Sequence, residues 1–164
     1  MNFRAKQSEF SKMLEDTWPP KKVIRLDDWT IRISEGAGKR ASAISLEGIW
    51  EETSFKRLKN LLKKLGKSEI FMVYQLDSLF EKELNERNYK VFDKSCVFEI
   101  AVADLIKTEA PPVTMFSIWP PLQIQKELWI TNGISWQRQA VMDRARTPKT
   151  SILGRWNDNP IASA

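Results

Sequence analysis

Trp29-Thr30-Ile31-Arg32-Ile33-Ser34 sets apolar and polar side chains in strict alternation, and Gly36-Ala37-Gly38 follows almost at once. A period of two marks a strand with one face against a core, and two glycines in three residues turn the chain. Upstream, Lys22–Leu26 alternates in the same way, with only the turn-like Asp27-Asp28 between the two runs. Downstream, Arg40–Leu46 can return as a third, antiparallel strand. Residues 22–46 therefore predict a small antiparallel sheet, and the rest of the chain is read around it.

Helices are expected on both sides of that sheet. Phe3–Leu14 is amphipathic, with Phe3, Phe10, Met13 and Leu14 on one face, and it stops at Trp18-Pro19-Pro20. In Thr53–Leu65 the residues Phe55, Leu58, Leu62 and Leu65 recur at spacings of three and four. Glu51 and Glu52 suit the positive start of that helix, its lysines suit the end, and Gly66 is placed to cap it. Ile70–Tyr74 reads as a short strand, and Asp77–Arg87 as a helix with Leu79, Phe80 and Leu84 inward. Tyr89–Phe92 and Val97–Ala103 read as two arms of a bent or paired strand. Residues 104–112 end in Glu109-Ala110-Pro111-Pro112 and form a linker. A strand over Val113–Ile118, helices over Leu122–Ile130 and Ser135–Ala145, and a hairpin from Ser151 to the chain end follow. The second arm of that hairpin leaves an open edge. The fold class is α/β of the α+β type: a mixed, mostly antiparallel sheet carrying helices 3–15, 53–65 and 77–87. Its core is expected from Trp29, Ile31, Ile33, Phe55, Leu58 and Leu62, and further from Phe71, Val73, Leu84, Val97 and Phe98.

Composition removes several kinds of chemistry. The 164 residues contain no histidine, which excludes Ser-His-Asp and Cys-His nucleophiles and the commonest zinc sites. No metal ligand set is predicted. A single cysteine, Cys96, allows no disulfide framework within the chain. That points to a reducing cytoplasm, with Cys96 as a small core residue. No apolar run approaches the length of a membrane span, and the charged N-terminus is not a secretory signal. The net charge of +5 is spread along the chain: residues 1–111 carry 20 basic and 18 acidic side chains, residues 112–164 carry 6 and 3. Nucleic-acid binders gather their basic residues into a stripe, so nucleic acid is disfavoured as a partner.

The individual motifs read more plainly still. Gly36-Ala37-Gly38-Lys39-Arg40 lacks the spacing of a phosphate-binding loop and the helix that should follow. The seven tryptophans at 18, 29, 50, 119, 129, 136 and 156 share no spacing that puts several on one face, so packing explains them better than base stacking. Asp27-Asp28 and Glu51-Glu52 are accounted for by turn and cap positions.

One resemblance carries more. Trp18-Pro19, Asp28-Trp29, Arg32, Gly36 and Lys39-Arg40-Ala41-Ser42-Ala43 occur in an order that resembles bacterial GNAT-type N-acetyltransferases built from two tandem lobes. In that group a Trp-Pro pair precedes a Gly-Trp-hydrophobic-hydrophobic-Arg strand, a glycine turn and an Arg-Ala-Asn-Ser-Val-like strand. Leu84-Asn85-Glu86-Arg87-Asn88-Tyr89-Lys90-Val91 is similar to the family's Leu-x-x-Arg-Gly-Tyr-x-Val. Leu128–Met142 resembles the first helices of the second lobe, and Ser151–Ala164 its first hairpin, where the family carries Gly-Arg-x-x-Asp-x-Pro-hydrophobic-Ala. Asp28, Ser42 and Asn88 depart from the pattern, standing where the family has glycine, asparagine and glycine.

The resemblance implies an N-terminal lobe over residues 1–106, a linker at 107–112 and the start of a second lobe at 113–164. It implies acetyl transfer from acetyl-CoA to an amine. It also exposes a gap, because the Arg/Gln-x-x-Gly-x-Gly/Ala loop that grips the cofactor's pyrophosphate at a helix N-terminus does not occur in the chain. The chain is therefore expected to be truncated before that loop, without a cofactor-binding residue of its own. Arg32, Lys39, Arg40 and Ser42 are the polar positions on the matching strands and the candidates for the substrate side. The competing reading makes them exposed strand residues with structural contacts. Glu35, Glu47 and Glu99 are available carboxylates, and none sits on a matching catalytic motif. The alternative function is a non-catalytic module that self-associates or pairs with a partner chain through its open C-terminal hairpin.

Overall fold

The structure, a computed structural model, describes residues 3–74, 78–105, 111–146 and 148–164. The chain is of mixed α and β structure, with two three-stranded antiparallel sheets among the described residues. Helix α1 (Phe3–Thr17) leads into β1 (Lys22–Leu26), β2 (Trp29–Ile33) and β3 (Ile44–Leu46), followed by α2 (Glu52–Leu65) and α3 (Ser78–Glu86). Past the 106–110 part of the predicted linker, which lies outside the described residues, come β4 (Met115–Ile118), α4 (Gln123–Thr131) and α5 (Trp136–Arg144). Strands β5 (Ser151–Trp156) and β6 (Asn159–Ser163) close the second sheet, whose order is β4-β5-β6.

The first sheet forms where the alternation placed it. Strand β1 pairs with β2 from Lys22↔Ile33 to Leu26↔Trp29, so Asp27-Asp28 is a two-residue hairpin turn with Asp27 left-handed at φ 50°. Strand β2 pairs with β3 from Trp29↔Leu46 to Ile31↔Ile44. The odd-numbered face of β2 holds the main core. Trp29 is fully buried, with ring centroids 5.5 to 6.1 Å from those of Trp50, Phe55, Phe71 and Phe80. Helix α2 turns Phe55, Leu58 and Leu62 into that core, and Gly66 ends it in the left-handed region at φ 59°. Only glycine adopts that conformation without a Cβ penalty. Of α3, Phe80 and Leu84 pack inward, whereas Leu79 is about half exposed.

Several expectations need correction. The strand read over Arg40–Leu46 begins only at Ile44, because residues 39–42 form a turn in which the Ser42 amide donates to the Lys39 carbonyl. Ala37 and Ala41 of this turn are buried with Val141 of α5 and pack on Trp18, which joins the first half of the molecule to the second. Ile70–Tyr74 contributes no full strand. It touches the sheet through one parallel bridge, Ile44↔Phe71, held by the Ile44 amide to Ile70 and the Met72 amide to Ile44, both 2.8 Å. Tyr89–Phe92 and Val97–Ala103 form no strand, since no neighbouring strand supplies ladder partners and an isolated strand is not stable. Val97 and Phe98 are accordingly outside the core, Phe98 at 92% exposure, and Cys96 is exposed as well. Met13 on α1 also faces solvent, and the side chain of Phe3 lies outside the described residues.

The second sheet is thinner. Strand β4 pairs with β5 from Ile118↔Ser151 to Met115↔Gly154, and β5 pairs with β6 across a bulge at Gly154/Arg155. Asn157 and Asp158, both at positive φ, make the tight hairpin turn predicted there. Among the described residues no helix is long and apolar enough to cross a membrane.

Candidate functional site

Alternation in β2 would send Thr30, Arg32 and Ser34 to solvent if one face of the sheet were wet. Instead α1 lies over that face, and all three are buried, Arg32 to 2% exposure. A guanidinium in such a place needs a partner for its charge and for its N–H groups. Arg32 finds both: Nη2 donates to Glu15 Oε1 of α1 at 2.9 Å, and Nη1 donates to Ser45 Oγ of β3 at 2.9 Å and to the Ala43 carbonyl at 3.4 Å. Ser45 Oγ in turn donates a hydrogen bond to Glu47 Oε1 at 2.7 Å. Arg25 donates to Thr30 Oγ1 and lies 3.8 Å from the second oxygen of Glu15.

Tyr74 completes the cluster. Its hydroxyl is 2.6 Å from Ser11 Oγ, and its ring meets Phe10 edge-on at 6.1 Å. Burial pushes this phenol above its ordinary range, and the charges of Glu47 and Glu15 push the same way against the Ser11 hydrogen bond and Arg32. It therefore stays protonated at neutral pH. Two guanidinium groups and two carboxylates balance in charge, and Arg32 and Glu47 are linked through the buried Ser45 hydroxyl. The arrangement holds one acidic group, Glu47, at the exposed end of a rigid polar relay.

The predicted substrate-side residues do not converge. Arg32 is the centre of the buried network and is inaccessible to a ligand. Lys39, Arg40 and Ser42 sit on the 39–42 turn, not on a strand. Lys39 Nζ pairs with Asp93 at 3.1 Å and lies 4.2 Å from the centroid of the Phe92 ring. Arg40 is exposed, and Ser42 Oγ donates to the Gly38 carbonyl at 2.9 Å and hydrogen-bonds Ser34. Of the three available carboxylates, Glu35 is held by Lys21 at 2.7 Å, Glu99 stands on an exposed segment, and Glu47 alone joins the network.

The reading along the chain missed Glu15, which becomes the partner of Arg32 only when α1 is laid on the sheet, and Tyr74, which meets Ser11 and Phe10 of the same helix. It also missed Gln125, fully buried beneath the second sheet. Gln125 Oε1 accepts from the Leu122 amide at 2.9 Å, and its Nε2 donates to Ser151 Oγ at 3.0 Å and Ser163 Oγ at 3.3 Å. A glutamine three residues into a helix, reaching back to the start, was the available signal.

Of the seven tryptophans, Trp119 and Trp129 line a cleft of about 260 Å³ with Met142 and Lys149. Lys149 already occupies the cationic position there: its Nζ donates to the carbonyls of Met142, Asp143 and Ala145 and sits 4.6 Å from the Trp119 ring centroid. Among the described residues no group of three His, Cys, Asp or Glu side chains could hold a metal ion. No protein-family model, no curated protein and no solved structure matches the chain.

Proposed function

We propose that the chain belongs to a GNAT-like N-acetyltransferase, which transfers acetyl from acetyl-CoA to a primary amine, and supplies part of its acceptor side. The observation that carries the reading is the ordered surround of β2. A helix ending at Trp18-Pro19 covers a Trp-x-x-Arg strand in an antiparallel sheet, and the parallel link at Phe71 makes that sheet mixed. Asn88 supports it too, adopting the left-handed φ of 63° where the family has glycine. In this reading Glu47, exposed and aligned by Ser45, accepts the proton that an acceptor ammonium must lose before the amine attacks.

The chain's own residues do not fit acetyl-CoA. No glycine-rich loop opens any described helix, α2 begins with two carboxylates, and the first turn of α4 is closed by Gln125. The 164 residues alone are therefore not expected to turn over. A second reading, a non-catalytic GNAT-like module that pairs with another chain, is favoured by the closure of the Arg32 network.

The test is to purify the protein from its own host, take its intact mass, and record its melting temperature with and without saturating acetyl-CoA. The expected result is a mass above 19.1 kDa, a clear rise in melting temperature, and acetylation of a primary amine that falls on Glu47→Gln substitution. A ligand at about a hundred times its Kd adds about 2.7 kcal/mol, so true binding is not missed. A product that acetyl-CoA does not stabilise overturns acetyl transfer and leaves the binding module.

A further inference from the structure

We infer that the polar face of the first sheet is a carboxylate-binding site, closed in this structure by α1, whose Glu15 supplies the carboxylate. A carboxylate ligand enters by taking the place of Glu15 and lifting the helix. The inference assigns no reaction and stands apart from the acetyl-transfer reading. The face has the parts of an anion site. Thr30, Arg32, Ser34 and Ser45 are each at most 5% exposed, and Arg25 reaches Thr30 from β1. A face that only carried a helix would be served as well by apolar side chains, because a buried ion pair repays its desolvation poorly. A guanidinium backed by hydroxyls is instead the geometry that recognises a carboxylate. Glu15 fits it as a ligand does: Oε1 accepts from Arg32 Nη2 at 2.9 Å, and Oε2 lies 3.8 Å from Arg25 Nη2. One planar group thus bridges two arginines from neighbouring strands. With Glu15 withdrawn, Arg25 and Arg32 against Glu47 leave one positive charge, which matches a monocarboxylate and not a phosphate dianion.

The helix is held chiefly by those polar contacts. From Ser8 to Thr17 only Ser11 is buried, with Phe10 and Leu14 half-buried and Met13 exposed. Ser11 Oγ meets the Tyr74 hydroxyl at 2.6 Å, so lifting α1 also frees a phenol for the ligand. No described side chain of α1 belongs to the main core, which gathers around Trp29 on the opposite face of β2. The sheet therefore keeps its core when α1 leaves. Trp18, just past the last turn, packs on Ala37, Ala41 and Val141 and tethers the helix at that end. The Glu15 side chain is 26% exposed, so its ion pair is reached from solvent. A ligand that binds only the open form shifts the helix by exactly its preference for that form.

The experiment is hydrogen exchange on the full 164-residue chain in sodium propionate, sodium phosphate and sodium chloride at equal ionic strength. The expected result is faster exchange across α1 in propionate alone, with β2 and β3 as protected as in chloride. Propionate should also bind Glu15→Gln about tenfold more tightly than the parent, because the internal competitor is gone. Arg25→Gln, at a side chain 58% exposed, should weaken that binding and leave the melting temperature in place. Equal exchange of α1 in all three salts, or opening in phosphate as much as in propionate, would overturn the inference. So would an α1 that opens only together with β2, or equal propionate affinity in the parent and Glu15→Gln.

Discussion

The two halves of the molecule build the same motif, three antiparallel strands in chain order, to different depths. The first sheet is covered on both faces: α2 and α3 over Trp29 and Ile31, α1 over Thr30, Arg32 and Ser34. Among the described residues the second sheet is covered on one. Helix α4 packs on it through Gln125 and Trp129, whose indole N–H donates to the Ser163 carbonyl at 3.2 Å. The register sets Met115 opposite Gly154, with Trp156 two residues on, so both share the far face, and both are more than half exposed. Each sheet has a buried polar hub under a helix, charged in the first and neutral in the second. A strand buried on both faces makes a stable unit by itself, whereas a sheet covered once leaves apolar area for something else to cover.

The largest effect should come from removing the centre of the deeper core. Trp29→Ala is expected to cost about 3–5 kcal/mol in chemical denaturation, while Trp156→Ala should stay within about 0.5 kcal/mol. Equal losses at the two tryptophans would erase the distinction between the halves. The polar hubs come next. Arg32→Met leaves Glu15 without its buried partner and should cost about 3 kcal/mol, partly recovered when Glu15→Met is added. Gln125→Leu strands two hydroxyls and an amide and should cost about 1–3 kcal/mol. Hydrogen exchange sharpens this pair, because the loss at Gln125 should open β5 and β6 and leave β2 protected.

The smallest effect is a pH dependence confined to the first half. Burial alone would raise the Glu69 carboxyl, but hydrogen bonds from Lys59 and Tyr89 and the Lys59 charge outweigh it and hold it below its ordinary value near 4.5. A carboxyl depressed in the folded state contributes stability above its unfolded value and loses that contribution as pH falls through the folded one. Melting temperature should therefore decline on acidification below about pH 4.5, less steeply in Glu69→Gln than in the parent. Identical slopes would remove Glu69 as the source.

Local pattern was a reliable guide wherever the physics is local. The period-two run at 29–34, the capped helix ending at Gly66 and the hairpin turn at Asn157-Asp158 depend on residues a few positions apart, and all three formed. The same patterns misled at Val97-Phe98 and at Arg40–Ser42. Strand propensity there was real, but a ladder needs a neighbour in space, and the alanines of the turn were taken instead by Trp18 and Val141. The candidate site was legible only at its centre. Arg32 could be singled out in a strand, but its burial could not, because whether a polar face meets water or a helix is not written in the strand itself.

The sequence by itself thus determined the helices, the β1–β2 hairpin and the closing β5–β6 hairpin, the absence of histidine chemistry and the lack of a cofactor-gripping glycine loop. All follow from residue identity and short spacing. Only the tertiary structure decided that α1 seals the polar face, that Glu15, Ser45, Glu47 and Tyr74 gather round Arg32, and that no strand of the described residues pairs with 97–103. Those outcomes depend on which surfaces meet across gaps of up to 63 residues, Ser11 to Tyr74 being the longest in the cluster. A buried charge is tolerable only where every partner arrives together.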